Sequence, residues 1–167
     1  LVGSEMWIRD RNKGGKMRFC GLFVLLLLGA GNAAAEVRAV DGDSLVAEGR
    51  RVRLLGIDAP EYAQTCGDAR GCDYPCGREA LAFLQKLIAS EKVECRKKQQ
   101  DIYKRDLSIC YAGGRDINRL MLENGWAVVY RSDNPDYLAA EENARRNKRG
   151  IWQGKFMKPE LYRILMK

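Results

Sequence analysis

Asp41, Asp43, Asp58 and Glu61 place four carboxylates within 21 residues, with Arg53 between them, in a chain that has no histidine. The first two flank Gly42 in Val40-Asp41-Gly42-Asp43-Ser44. The second two close the run Arg53-Leu54-Leu55-Gly56-Ile57-Asp58-Ala59-Pro60-Glu61. An Asp-Gly pair most often does no more than shape a hairpin turn; the second acidic pair changes the reading. Pro60 lacks a backbone N–H and ends strand pairing, so Asp58 and Glu61 are expected at a strand end, displayed rather than held in the ladder. In an antiparallel meander the start of the second strand lies near the end of the third, which brings Asp43 and Asp58 together. Converging carboxylates repel each other unless a cation lies between them. Oxygen ligands without imidazole suit Ca2+ or Mg2+ better than zinc or copper.

Two arginines extend the constellation. Arg53 is expected on the third strand, on the face of Leu55 and Ile57, and Arg105 at the opening of the fifth, in Asp101-Ile102-Tyr103-Lys104-Arg105. Alone, each reads as a surface arginine whose stem lies along the sheet. Around a carboxylate-bound ion, two guanidiniums would suit bidentate capture of a phosphate and stabilisation of added negative charge in a transition state.

The elements that must position these groups follow from pattern. Residues 36–40, 44–47 and 51–57 are short, rich in valine and leucine, and separated by Asp-Gly and Glu-Gly turn signals, which predicts a three-stranded meander. A long loop over 58–77 leads to an amphipathic helix over 78–90, with Leu81, Leu84, Leu87 and Ile88 at helical spacing. Two further strands are expected around Val93 and Ile109. Asp116 can cap a helix that stops at Gly125, and Asn134-Pro135 can open another that carries Tyr137, Leu138 and Ala144 inward. Trp152 and a short apolar turn near Leu161 are expected to pack on the body. Five short strands with interleaved and trailing helices make an α+β domain, and a small barrel removes the exposed sheet edges.

The amino-terminal 35 residues read differently. Lys13, Lys16 and Arg18 precede an apolar run from Phe19 to Leu28, followed by small residues to Ala35. This is the order of an export signal, with cleavage expected near Ala35 and Met17 as the expected natural start. The apolar run is about half a bilayer span, so an uncleaved membrane anchor is the minority alternative. The domain assignment is therefore 1–35 as extension and signal, and 36–167 as the folded domain. The whole chain carries 29 basic and 22 acidic side chains. Beyond Ala35 the excess falls to +4 and gathers towards the end, at Arg145, Arg146, Lys148, Arg149, Lys155, Lys158, Arg163 and Lys167. Such a surface attracts polyanions, but solvated helix faces carry similar runs.

Five cysteines follow Ala35, and in an exported protein disulfides are the default. Cys66 and Cys76 bracket a glycine-rich loop, whereas Cys95 and Cys110 fall in runs that read as adjacent strands. The expected bridges are Cys66–Cys76 and Cys95–Cys110, with Cys72 free or exchanging within the loop. Spacings of five and three without histidine fit a zinc site poorly.

Taken in order, Val40–Ser44, Arg53–Glu61, Asp101–Arg105 and the stretch from Ile117-Asn118 to Gly125-Trp126-Ala127 resemble the staphylococcal nuclease (thermonuclease) family, in its secreted, cysteine-containing bacterial branch. The resemblance covers about Val37 to Trp152. It implies a five-stranded OB-type β-barrel with three α-helices, and Ca2+-dependent hydrolysis of DNA and RNA phosphodiesters, by endonucleolytic cleavage that leaves 3′-phosphate ends. Carried over by position, it implies Asp43, Asp58 and the backbone carbonyl of Ala59 as calcium ligands, with Asp41 in the outer shell. It also implies Glu61 as general base, Arg53 and Arg105 on the phosphate, and Tyr103 lining the nucleotide site. A monomer with no stable membrane association is expected. Family members often carry threonine where Ala59 and Ser44 stand and glycine where Lys104 stands, so the approach to the fifth strand is expected to differ. The rival readings are a non-catalytic OB-type nucleic-acid-binding domain and a domain that uses the carboxylates only to hold a stabilising calcium.

Overall fold

Short β-branched and leucine-rich segments broken by turn residues dictate the first half of the domain. The computed structural model describes residues 37–89 and 91–166; the expected export signal and its cleavage near Ala35 lie outside them. The chain begins with β1 (Val37–Asp41), turns at Gly42-Asp43 into β2 (Ser44–Ala47), and turns again at Glu48-Gly49, both with positive φ, into β3 (Arg50–Leu54). After β4 (Ile57–Asp58) come the small hairpin β5 (Cys66–Gly67) and β6 (Asp73–Tyr74), and the helix α1 (Cys76–Ala89). The long hairpin of β7 (Val93–Gln100) and β8 (Asp106–Ala112) is followed by β9 (Arg115–Asp116), α2 (Ile117–Glu123) and β10 (Val128–Val129). Helix α3 (Pro135–Arg146), a 3-10 turn at Gly150–Gln153 and α4 (Pro159–Leu165) complete it.

The main sheet runs β1-β2-β3-β8-β7, with β9 paired to β8. All its pairs are antiparallel except β3 with β8, where Val52 faces Asp106 and Leu54 faces Ser108 in parallel. The result is a curled half-barrel with helices packed into and around it, the α+β, OB-like architecture the sequence implies. Leu45, Leu54, Ile57, Leu84, Ile117, Met121 and Leu122 are fully buried and form its core. Among the described residues no helix is long and apolar enough to cross a membrane.

Three expectations are corrected. The third strand does not run unbroken from Arg51 to Ile57. It breaks at Leu55-Gly56, where Gly56 has φ +85° and a side chain would press on Tyr137 and Ser132. Residues Ile57 and Asp58 leave the main sheet and pair with Val129 and Val128 instead. Arg53, Leu55 and Ile57 nevertheless line one cleft, as a shared face would have them do. On α3, Leu138 is 47% exposed while Tyr137, Ala140 and Ala144 are buried, because positions 137, 140 and 144 follow the helical stripe and 138 is turned about 100° from 137. Finally, the apolar turn near Leu161 is a fourth helix, whose described side chains are largely exposed.

The capping residues perform as their types predict. Asp116 accepts from Arg119 N at 3.0 Å, and Asn134 accepts from Asp136 N at 2.9 Å ahead of Pro135. Both expected disulfides are present. Cys95 and Cys110 face each other directly across β7 and β8, and Cys66 joins Cys76 at the start of α1. Cys72 is free and exposed. The Cys95–Cys110 link closes a loop of 15 residues, a size for which a cystine is worth about 3 kcal/mol. Cys95→Ala/Cys110→Ala should therefore lower the urea-unfolding free energy by about 2–4 kcal/mol while the far-ultraviolet circular dichroism stays unchanged. An undiminished unfolding free energy would show that the hairpin needs no cross-link.

Candidate active site

The break at Gly56 is what assembles the site. It turns Asp58 back onto β3, while the β2–β3 register, with Ser44 opposite Arg53 and Leu54 N donating to Asp43 O at 2.8 Å, fixes Asp43 beside it. Arg53 lies between the two aspartates. Its Nη1 donates to Asp43 Oδ1 at 3.1 Å, and its Nη2 lies 2.9 Å from Asp43 Oδ2 and 2.7 Å from Asp58 Oδ1. Asp43 and Asp58 are 3% and 1% exposed, so these are buried charges that stand only because they are paired. Ser44 Oγ and Ala59 N donate to the remaining Asp43 positions, and Asp41 accepts from Asp43 N at 3.1 Å.

The electrostatics are finely opposed. Burial pushes the Asp43 carboxyl up to about 7; Arg53 pulls it down, and Asp41 and Asp58 push it further up. Burial disfavours the Arg53 charge, but attraction to Asp43 and Asp58 outweighs it and raises its pKa.

Glu61 is placed by the loop after Pro60. Gln64, fully buried, accepts from Glu61 N at 3.2 Å through Oε1 and donates from its own N to Glu61 O at 2.8 Å. Its Nε2 donates to Met157 O at 2.7 Å. The loop lies against the start of α1 so closely that a Cβ at Gly77 would collide with the Glu61 carbonyl, and Cys66–Cys76 holds the two together.

Arg105 sits in the β7–β8 loop, where Asp101 Oδ1 accepts from Tyr103 N and Arg105 N, both at 2.9 Å. Asp101 Oδ2 accepts from Arg105 Nε at 2.7 Å, which holds the guanidinium by one edge. Lys104, at the position where the family resemblance leads one to look for glycine, has φ +61°. Tyr103 is 63% exposed, its ring 5.6 Å from the Arg105 guanidinium and its carbonyl accepting from Arg51.

Asp41, Arg53, Glu61, Tyr103 and Arg105 line one open cleft of about 1260 Å3, with Asp43 and Asp58 beneath Arg53. Arg105 reaches this cleft without touching the aspartates, its charge paired with Asp101. Two residues of the site, one buried behind the cleft and one lining it, escape a reading of the sequence. Gln64 carries no motif. Arg163, on α4, counts there only as part of a basic tail, yet it grips both oxygens of Asp58 and reaches Glu61 at 2.7 Å. No spacing rule could have found a partner 105 residues away.

A hard divalent ion fits this donor set. Asp41, Asp43, Asp58 and Glu61 bring four carboxylates to one place, all of them oxygen donors, and the burial that pushes the Asp43 carboxyl up marks a place where added positive charge is favoured. Among the described residues no three Asp, Glu, His or Cys side chains form a cage of their own, so an ion here would take its remaining ligands from backbone, water or substrate, as hard cations do. Folded Asp43 holds its proton to about 7 against an ordinary 3.8. Folding therefore takes up a proton between those values, and stability falls as pH rises through that window. In EDTA, the melting temperature of Asp43→Asn relative to wild type should climb as pH rises from about 4 to about 7, so that the gap between them changes across this window. A gap that is constant across this range would show that Asp43 does not titrate there.

Residues 51–154 match the family model described as staphylococcal nuclease homologue. Over 121 residues the chain is 39% identical to the succinoglycan biosynthesis protein ExoI of Rhizobium meliloti, covering 71% of this chain and 63% of that protein. It is 32% identical over 128 residues to a protein of Haemophilus influenzae named an uncharacterized endonuclease, covering 72% and 66% of the two. A protein of Escherichia coli O157:H7 with the same name is 37% identical over 123 residues, covering 70% and 74%. The match thus spans just under two thirds of the first two relatives' own lengths.

Proposed function

The chain belongs to the staphylococcal nuclease homologue family, and from that premise we propose that it is a calcium-dependent endonuclease that hydrolyses DNA and RNA phosphodiesters to 3′-phosphate ends. One observation carries the reading: Asp41, Arg53, Glu61, Tyr103 and Arg105, from three separated segments, line a single cleft over the Asp43–Asp58 pair. The names of the endonuclease relatives support it.

In this reading Asp43, Asp58 and the Ala59 carbonyl hold the ion, with Asp41 outside them. The bound ion supplies polarisation of a phosphoryl oxygen. Glu61 takes the proton of the attacking water at a carboxylate oxygen; with no histidine in the chain, a carboxylate is the natural base. Arg105, steered by Asp101 through Nε, offers its two terminal nitrogens to the phosphate as a fork. Arg53 offsets charge on the same group from the cleft floor. Tyr103 gives an exposed ring at the cleft rim for a base to stack on. Residues 1–35 direct export to the periplasm or beyond, where the protein acts as a monomer. The two disulfides fit such an oxidising compartment.

Glu61→Gln and Arg105→Ala should each cut turnover ~10²–10³-fold with the fold intact by circular dichroism, measured on single- and double-stranded DNA and RNA with calcium. EDTA should abolish hydrolysis in wild type while leaving binding in place. Near-normal digestion by either variant would remove its assigned role, and digestion that persists in EDTA would remove the ion from the reaction. End-labelling of the fragments should find the phosphate on the 3′ side.

A further inference from the structure

Arg163 is the side chain that the proposed reaction leaves unused, and its contacts are with the groups the reaction needs. Its Nη1 donates to Asp58 Oδ1 at 2.9 Å and to Glu61 Oε1 at 2.7 Å, and its Nη2 donates to Asp58 Oδ2 at 2.9 Å. A carboxylate offers about four lone-pair positions. On Asp43 all four are taken, by Ser44 Oγ, Ala59 N and the two Arg53 nitrogens. On Asp58 three are taken, two of them by Arg163. An ion that is to reach Asp58 finds the guanidinium of Arg163 in its path, and a Glu61 that is to accept a proton has one oxygen committed to the same guanidinium.

The element that brings Arg163 there is lightly held. On α4 only Pro159 is buried, while Leu161, Ile164, Leu165 and Met166 are 47–68% exposed. Apart from Arg163 itself, α4 is joined to the body by polar contacts. Tyr130 Oη donates to Glu160 Oε1 at 3.1 Å, Arg131 lies 4.0 Å from Glu160, and just upstream Gln64 holds Met157 O. Little apolar area is lost if the helix lifts, so the ion pair with Asp58 and Glu61 is what keeps it down.

We propose that Arg163 is a built-in substitute cation, which docks α4 over the acidic pair in the resting protein and must withdraw when a divalent ion binds Asp58. Ion binding and α4 docking are then antagonistic. This rests on the cation reading of the site given above, and it adds that the carboxyl-terminal helix reports and regulates ion occupancy. Where docking is favoured tenfold, the apparent dissociation constant for the ion lies about tenfold above its intrinsic value.

The test uses the full chain, wild type and Arg163→Gln, with calcium chloride and manganese chloride as the titrants. Calorimetric titration should show Arg163→Gln binding the ion about tenfold more tightly than wild type. Hydrogen exchange of wild type should show Tyr162–Met166 losing protection when the ion is added, while β7 and β8 stay protected. Equal or weaker binding by Arg163→Gln would overturn the inference. So would α4 amides whose exchange the ion leaves unchanged, even alongside tighter binding by the variant, since loss of a nearby positive charge alone produces that much. If Arg163→Gln does not fold, the exchange measurement on wild type decides by itself. Absence of ion binding in both proteins would instead bring down the cation reading of the site, a failure distinguishable from an ion that binds without moving α4.

Discussion

Arg53 between Asp43 and Asp58 is the contact on which the rest of the domain turns. Two carboxylates almost without solvent, one at the head of β2 and one at the end of β4, lie close enough to share a guanidinium. Taking either into the interior unpaired would cost several kcal/mol. The guanidinium makes their approach tolerable, and their approach in turn fixes the sharp departure of the chain from the main sheet at Gly56. The same arrangement gathers Asp43, Asp58 and Glu61 around the guanidiniums of Arg53 and Arg163, so a cation that enters the site competes with charges already in place.

Around that centre, each remaining group is held by a different device. Glu61 is fixed through its backbone, by buried Gln64, by the bare Cα of Gly77 and by the Cys66–Cys76 bridge, while its carboxylate is held, among the described residues, by Arg163 alone through one oxygen. Arg105 is fixed through its side chain, by Asp101 at Nε. Lys104 in the same loop sits in the left-handed region, a conformation that costs a non-glycine residue about 1–2 kcal/mol. The Asp101 carboxylate, which accepts from two backbone N–H groups on either side of Lys104, offsets that strain. The loop thus keeps its shape through Asp101 without the glycine.

How much of this the residues announced depends on the range of the interaction. Turn pairs, caps and helical stripes are local, and they were legible: Asp116 and Asn134 cap where their types require, and the Asp-Gly and Glu-Gly turns fall between β1, β2 and β3. The facing of Cys95 and Cys110 was legible because it needs only two neighbouring strands. The division of residues 51–58 into two strands was not, since it hangs on Gly56 meeting Tyr137 and Ser132 of a distant segment. Leu138 was misplaced for a plainer reason, a hydrophobic side chain one step off its helical stripe. The acidic half of the site could be read from Asp43, Asp58 and Glu61, which are close in sequence. Arg163 and Gln64 could not, because their roles exist only after the whole chain has closed on itself.

That distance sets an order of assembly. A chain synthesised amino end first presents Asp58 about a hundred residues before Arg163, a separation of 105 positions, whereas Arg53 precedes Asp58 by only five. The buried acids therefore meet a counter-charge from their own stretch of sequence as soon as they emerge, and the half-barrel can condense without waiting for α4. The last helix arrives at a structure already closed and electrically tolerable, as a late addition to a finished fold.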